Sequence, residues 1–96
     1  MKTSEVITLL NQCHSFPGLY VFKLIGENTS PFYDAVLSEI SKELGEIMDH
    51  EASLFTRKSP GGKYLSITLK LEMEAAEQVL RLYERFSKLK GLRFMM

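Results

Sequence analysis

Residues 57–66, RKSPGGKYLS, combine two glycines with three basic side chains, a composition found in loops that hold phosphate groups. A P-loop also needs a first glycine at a fixed spacing and a Ser or Thr after its lysine, at the start of a helix. Here Tyr64 follows the lysine, and the alternating pattern of a strand follows Tyr64. Pro60 and Gly61 instead suit the second and third positions of a β-turn, so a hairpin turn is favoured. The basic residues kept as candidate anion contacts are Arg57, Lys58 and Lys63.

Cys13 and His14 also invite a catalytic interpretation, as a nucleophile beside a base. Adjacent residues of a helix point about 100° apart, so these two side chains do not face each other, and we expect Cys13 at the buried edge of its helix. His14 and His50 lack the spacing of metal ligands, and a single cysteine excludes an internal disulfide. A group of carboxylates is expected to form an exposed acidic flank: Glu39, Glu43, Glu46, Asp49 and Glu51.

These patterns predict no catalytic residue, no metal site and no cofactor, and we therefore expect a protein that is not an enzyme. The chain has 12 basic and 12 acidic side chains, a balance that disfavours nucleic acid as a partner. The N-terminus lacks the apolar core of a signal peptide, and no stretch approaches the length of a membrane span. A cytoplasmic location without membrane contact is the expectation.

Hydrophobic periodicity divides the chain into elements that would position these residues. A period of two predicts strands and a period near 3.6 predicts helices. Pro31 and Gly45 mark the ends of the first long helix, for which Ser30 is the predicted N-cap. The predicted helices are residues 3–14, 30–45 and 74–90, and the predicted strands are residues 19–26, 47–59, 63–73 and 92–96.

The order of these elements, after a first short helix, is strand–helix–strand–strand–helix–strand. Right-handed crossovers turn that order into a ferredoxin-like βαββαβ sandwich of the α+β class. Its four-stranded antiparallel sheet would carry two helices on one face and leave the other face open. We predict one domain over residues 1–96, with residues 1–15 as an N-terminal helical extension.

Lys23 indicates which side of the first strand faces the helices, because burying an unpaired lysine is costly. Its side of the strand, with Val21 and Ile25, is therefore expected on the open face. On the hairpin strand the period of two places four residues on that same face: Tyr64, Ser66, Thr68 and Lys70. The apolar residues there need cover, which either the N-terminal helix or a second copy of the chain could provide.

A second candidate site lies where the first strand meets the first long helix. Gly26 would let the backbone approach a small ligand at the helix N-terminus, beside Asn28. The simpler interpretation is a tight turn before a capped helix. The candidate residues for a ligand or partner, over both sites, are Lys23, Gly26, Asn28, Tyr64, Ser66 and Thr68.

RNA-recognition domains share the predicted topology and stack bases on aromatic residues of the open face. The orientation set by Lys23 would bury Tyr20, however, and leaves Tyr64 as the outward aromatic residue of the hairpin strand. RNA binding is therefore the least favoured of the binding functions.

Several motifs resemble those of the YbeD-like family of small bacterial proteins. They are Phe16-Pro17 before the first strand, Lys23 to Gly26 at its end, Ser59 with Gly62, Tyr64 and Ser66 in the hairpin, and Glu77-Gln78-Val79 with Leu82-Tyr83 in the second long helix. This family is similar to ACT-type regulatory domains, which have a ferredoxin-like fold and bind small effectors, often between paired domains. The resemblance carries over no catalytic residue. At the first strand-to-helix turn, Glu27, Asn28 and Thr29 stand in place of the ACT pattern.

Two hypotheses follow for the function. In the first, the chain is a non-catalytic ACT-like regulatory module that binds a small effector or a client protein, with a homodimer as one arrangement. In the second, it is a protein-interaction adaptor without a small-molecule ligand, which docks a partner on the open face of the sheet.

Overall fold

The computed structural model of the chain describes residues 2–45 and 54–96. Its helices are α1 (Thr3–Cys13), α2 (Ser30–Leu44) and α3 (Ala76–Ser87). Its strands are β1 (Gly18–Glu27), β2 (Leu54–Lys58), β3 (Tyr64–Met73) and β4 (Leu92–Met95). The part of the second predicted strand that precedes Leu54 lies outside the described residues.

The strands form one antiparallel sheet in the order β2-β3-β1-β4. β1 and β3 pair along their whole lengths at the centre, from Gly18 opposite Met73 to Glu27 opposite Tyr64. β4 pairs with the C-terminal part of β1, where a register shift falls between Ile25 and Gly26. This topology confirms the predicted ferredoxin-like α+β fold.

The core lies between the sheet and the two long helices. β1 contributes Phe22 and Leu24, while Lys23 between them is exposed, so the predicted orientation of the strand is confirmed. β3 buries every second residue from Leu65 to Met73. The helices contribute Phe32, Val36 and Ile40 from α2 and Val79, Leu82 and Phe86 from α3. Burial of these side chains is the main source of stability.

The first turn of α2 is capped by Thr29, whose hydroxyl accepts a hydrogen bond from the backbone N–H of Phe32 at 3.3 Å. The predicted cap was Ser30, one residue later. Thr29 takes the role because its backbone is extended, whereas Ser30 already belongs to the helix. Gly45 ends the helix with a φ of 76°, as its position in the sequence predicted.

Helix α1 packs against α3, on the helical side of the molecule. Leu10 reaches the main core, and the ring of His14 lies 4.8 Å from that of Tyr20 between centroids. The suggestion that this helix covers the open face of the sheet is therefore wrong. Cys13 is exposed and not at a buried edge, because the apolar contact of α1 runs through Leu10.

Two acidic residues of α2 form ion pairs with α3. The Glu43 carboxylate accepts a hydrogen bond from Arg81, and Glu39 lies 3.4 Å from Arg85 and 3.1 Å from Lys42. The hydrogen bond from Lys42 is the largest cause that lowers the pKa of Glu39. Glu39 and Glu43 thus stabilise the contact between the helices instead of forming a solvated flank. The other three carboxylates of that predicted flank lie outside the described residues.

Candidate functional site

The open face is the side of the sheet without helices. Its residues follow from the strand pairing and fall into rows that cross the strands. One row crosses all four strands at Phe94, Ile25, Ser66 and Arg57. The next contains Lys23, Thr68 and Phe55, together with Met96, which exchanges two backbone hydrogen bonds with Lys23. Further rows pair Val21 with Lys70, Leu19 with Glu72, and Glu27 with Tyr64.

Much of the open face is apolar and accessible to water. Five large apolar side chains are at least half exposed: Leu19 (70%), Val21 (51%), Phe55 (53%), Phe94 (55%) and Met96 (56%). Four of them lie in neighbouring rows of β1 and β4, and Phe55 lies across Thr68 and Lys70, at the other edge of this apolar patch. Single exposed apolar residues are ordinary on a protein surface, but contiguous patches mark sites of interaction.

The charges on the open face are mostly basic. Lys23 and Lys70 stand near its centre, and the Lys70 ammonium lies 5.4 Å from the centroid of the Phe55 ring. Arg57 lies at the edge strand, and the carboxylate of Glu27 is bonded to Arg93 at 3.0 Å. Glu72, opposite Leu19, adds a negative charge towards the end of β3. The middle of the surface therefore offers positive charge around aromatic and aliphatic side chains, a combination that suits an acidic partner.

Of the predicted site residues, Lys23, Tyr64, Ser66 and Thr68 come together on the open face. Gly26, which pairs with Leu65, faces the helices instead, and Asn28 follows β1 beside the hairpin turn. A Cβ at residue 26 would collide with the ring of Phe32, and that contact accounts for the glycine by packing alone.

Asn28 connects two loops that are distant in the sequence. Its Nδ2 donates to the carbonyl of Gly62 at 2.8 Å, and its backbone N–H donates to the carbonyl of Lys63 at 3.2 Å. The side chain thus holds the turn after β1 against the β2–β3 hairpin. This geometry favours the simpler interpretation of the turn, in which its residues serve the structure.

The predicted hairpin turn is confirmed. The N–H of Gly62 donates to the carbonyl of Ser59 at 2.8 Å, and Gly61 has a φ of 87°, which only glycine adopts readily. Of the candidate anion contacts, Arg57 and Lys58 line a depression beside the turn. The ammonium of Lys63 lies 5.4 Å from the centroid of the Tyr64 ring.

Tyr83, on α3, lies on the helical side of the sheet, with its hydroxyl beside that of Tyr20. The hydroxyls of Tyr20 and Tyr83 lie 3.1 Å apart, and burial, with the hydrogen bond to Tyr20, raises the pKa of Tyr83. Tyr20 also contacts the rings of His14 and Phe22. This group joins α1, β1 and α3 and lies on the side of the sheet away from the open face.

The sequence reasoning missed four exposed apolar residues of the open face: Leu19, Phe55, Phe94 and Met96. Phe55 and Phe94 lie on edge strands, which are too short to show a clear period of two. Phe55 was covered only by a weakly patterned predicted strand. The available signal was the pairing of each edge strand with a central strand whose orientation was already known.

Comparison with known proteins finds a family and several relatives that match most of the chain. Residues 11–96 match the family described as "Protein of unknown function (DUF493)". Curated relatives include a UPF0250 protein of Shewanella loihica, 26% identical over 87 residues, and one of Shewanella piezotolerans, 23% identical over 86 residues. Each alignment covers 90% of this chain and 93% of the relative. Within the described residues, no helix has the length and apolar character needed to cross a bilayer. The chain belongs to the DUF493 family, to which the UPF0250, YbeD-like proteins are related, and the resemblance noted in its motifs is confirmed.

Proposed function

We propose that this protein is a non-catalytic, ACT-like binding module that regulates a client protein by docking it on the open face of its sheet. The observation that carries the proposal is the patch of five exposed apolar side chains on that face. Covering such a patch removes apolar surface from water, which favours binding by about 25 cal/mol for each Å² of apolar surface that is buried. A partner that covers it therefore gains binding free energy that no contact within the described chain provides.

The basic residues define the chemistry of the client. Lys23 and Lys70 flank Val21 on the central strands, and Arg57 lies beyond Phe55 on the edge strand. A complementary surface would place acidic side chains around apolar anchors. Electrostatic complementarity of this kind speeds association and selects the partner, while the apolar contacts supply most of the affinity.

The same charges disfavour a second copy of the chain as the occupant. In a dimer whose two-fold axis passes through the middle of this face, Lys23 and Lys70 of both copies would approach each other. Like charges brought together at an interface oppose association. A client of opposite charge therefore fits the surface better than self-association does.

RNA is a weaker candidate because of where the aromatic side chains lie. RNA-recognition domains stack bases on aromatic residues of their central strands. Here the middle rows of β1 and β3 carry Lys23, Thr68, Ile25 and Ser66, while Tyr64 stands at the end of β3. Phe55 and Phe94 are on the edge strands, too far to the sides for a continuous central stacking platform.

The test compares the full chain with matched surface variants in affinity capture from cells that express it. Val21→Asp and Phe55→Asp introduce charge on the open face, and Leu9→Asp introduces it on α1, at an apolar side chain of similar exposure. We expect one acidic client to be retained by the wild type and by Leu9→Asp. The purified client should bind the open-face variants at least about fivefold more weakly, since an apolar contact of this kind contributes about 1 kcal/mol or more.

Circular dichroism of each variant establishes that the fold is kept. If all three variants capture the same proteins as the wild type, the open face is not the docking surface. If light scattering shows a wild-type dimer that Val21→Asp dissociates, a second copy occupies the face and the proposal fails.

A further inference from the structure

A depression of about 390 Å³ lies at one end of the open face, between β1 and the β2–β3 hairpin. It is formed by residues from three strands and from the turn, and all of them belong to the described chain. Its volume is within the range of pockets that hold small organic molecules. The lining residues are Ile25, Arg57, Lys58, Ser59, Pro60, Tyr64 and Ser66.

The apolar part of this depression comes from Ile25, Tyr64 and Pro60. Ile25 lies directly opposite Ser66 on the neighbouring strand, and Tyr64 is the next residue of β3 on the same face. Both side chains are only partly buried, so each has surface left for a ligand. The flat face of a ring could pack against these side chains.

The hydroxyl groups at the rim are positioned to donate hydrogen bonds. Ser59 Oγ accepts a hydrogen bond from the backbone N–H of Tyr64 at 3.0 Å, which leaves its own hydrogen to point elsewhere. Ser66 lies in the same row as Arg57 and directly opposite it. These groups therefore surround the basic end of the depression with donors.

The positive charge comes from Arg57 and Lys58. A guanidinium presents a planar pair of donors that matches the two oxygens of a carboxylate. Neither cation forms an ion pair with a carboxylate among residues 2–45 and 54–96, so no carboxylate of those residues competes with a ligand. Lys63, beside the Tyr64 ring, adds to the positive potential at the rim.

We propose that this depression binds a small organic carboxylate with a flat apolar body. The carboxylate pairs with Arg57 and the serine hydroxyls, and the body lies against Ile25 and Tyr64. Such a ligand would act as an effector. The inference goes beyond the docking of a client, because the site is complete without a partner protein.

The test is a titration of the ¹⁵N-labelled full chain with 3-phenylpropionate, followed by amide chemical shifts. Two probes separate the parts of the ligand: acetate has only the carboxylate, and 3-phenylpropan-1-ol has only the apolar body. We expect saturable shifts at Ile25, Arg57, Ser59, Tyr64 and Ser66 with 3-phenylpropionate, and much weaker binding of either partial probe. Equal binding of the alcohol, or shifts without saturation, would overturn the proposal.

Variants of one residue complete the test. Arg57→Gln should weaken binding of 3-phenylpropionate about fivefold, while Arg57→Lys should recover part of the loss, since it keeps the charge without the planar pair of donors. Arg93→Gln, which removes a basic side chain paired with Glu27, is the matched control and should leave the affinity unchanged. Equal affinities of Arg57→Gln and the wild type would exclude the site. Val21→Asp should disturb client docking and not this ligand, so failure of one proposal is distinguishable from failure of the other.

Discussion

Replacing Gly26 with alanine tests how the end of β1 packs on the first long helix. A Cβ at this position would lie 2.5 Å from Cε2 of Phe32 and still closer to Cζ. Carbon atoms in contact are normally about 3.5–4.0 Å apart, so the ring or the strand must move by about 1 Å. Gly26 has no positive φ, and alanine therefore meets steric conflict there without backbone strain.

The size of the effect follows from two opposing contributions. Overpacking a filled site costs about 1–3 kcal/mol, and the lower entropy of the unfolded chain with alanine returns about 0.4–1 kcal/mol. We expect Gly26→Ala to lower the free energy of unfolding by about 1–2 kcal/mol. With a urea m-value of about 1–3 kcal/mol per M, the transition midpoint falls by about 1 M.

The assay is urea unfolding followed by far-ultraviolet circular dichroism, which suits a chain without tryptophan. Phe32→Leu removes the ring edge that the new Cβ meets, so Gly26→Ala should cost much less in that background. The difference between the two backgrounds measures the coupling of the pair, expected at about 1–2 kcal/mol. Gly61→Ala is the control. Its φ is 87° and no atom lies within 4 Å of the new Cβ. The loss of stability caused by Gly61→Ala should therefore be the same with Phe and with Leu at position 32.

If Gly26→Ala destabilises the protein equally with Phe and with Leu at position 32, the ring of Phe32 is not the source of the steric conflict. That result would mean that the loss of stability comes from contacts of residue 26 other than the one with the ring of Phe32. If the alanine variant is as stable as the wild type, the strand and the helix are not packed as closely as the structure indicates.

Two further predictions concern Tyr83 and α1. Because burial raises the pKa of Tyr83 above its value in the unfolded chain, its contribution to stability is full below about pH 10 and is lost as the pH rises further. Between pH 9 and pH 11, the free energy of unfolding measured with urea should fall less for Tyr83→Phe than for the wild type. An equal fall in both proteins would show that ionisation of Tyr83 is not the cause. Deleting residues 1–14 should lower the melting temperature, since Leu10 packs against the core, and leave the oligomeric state measured by light scattering unchanged. A dimer formed only after the deletion would show that α1 masks an association surface.

The central part of the fold could be predicted from single residues with strong preferences. Lys23 cannot be buried cheaply, so it determined which side of β1 faces the helices, and the regular alternation of β3 did the same for its partner. Pro60 and Gly61 have conformational limits that suit few structures other than a turn. In each case a constraint on one residue or its near neighbours was sufficient to predict the local structure.

The remaining features depend on contacts between distant residues. Hydrophobic periodicity predicts the helix α1 but not that α3 is its partner. Nor does a local pattern show that Arg81 on α3 pairs with Glu43 on α2. The role of Gly26 became visible only with the ring of Phe32 beside it. The depression beside the hairpin likewise needs β1 and β2 placed on either side of β3.

The strand order has a consequence for the kinetics of folding. The central pair joins residue 18 to residue 73 and residue 27 to residue 64, while β2 and β3 are joined by a tight turn. The loop between β1 and β3 must close before their pairing can stabilise the chain, and long loops of this kind slow folding compared with helical bundles. Until then the apolar β1 segment stays unpaired, although the neighbouring hairpin can already form. Newly made chains are therefore exposed to intermolecular association for longer than a helical domain of equal length would be.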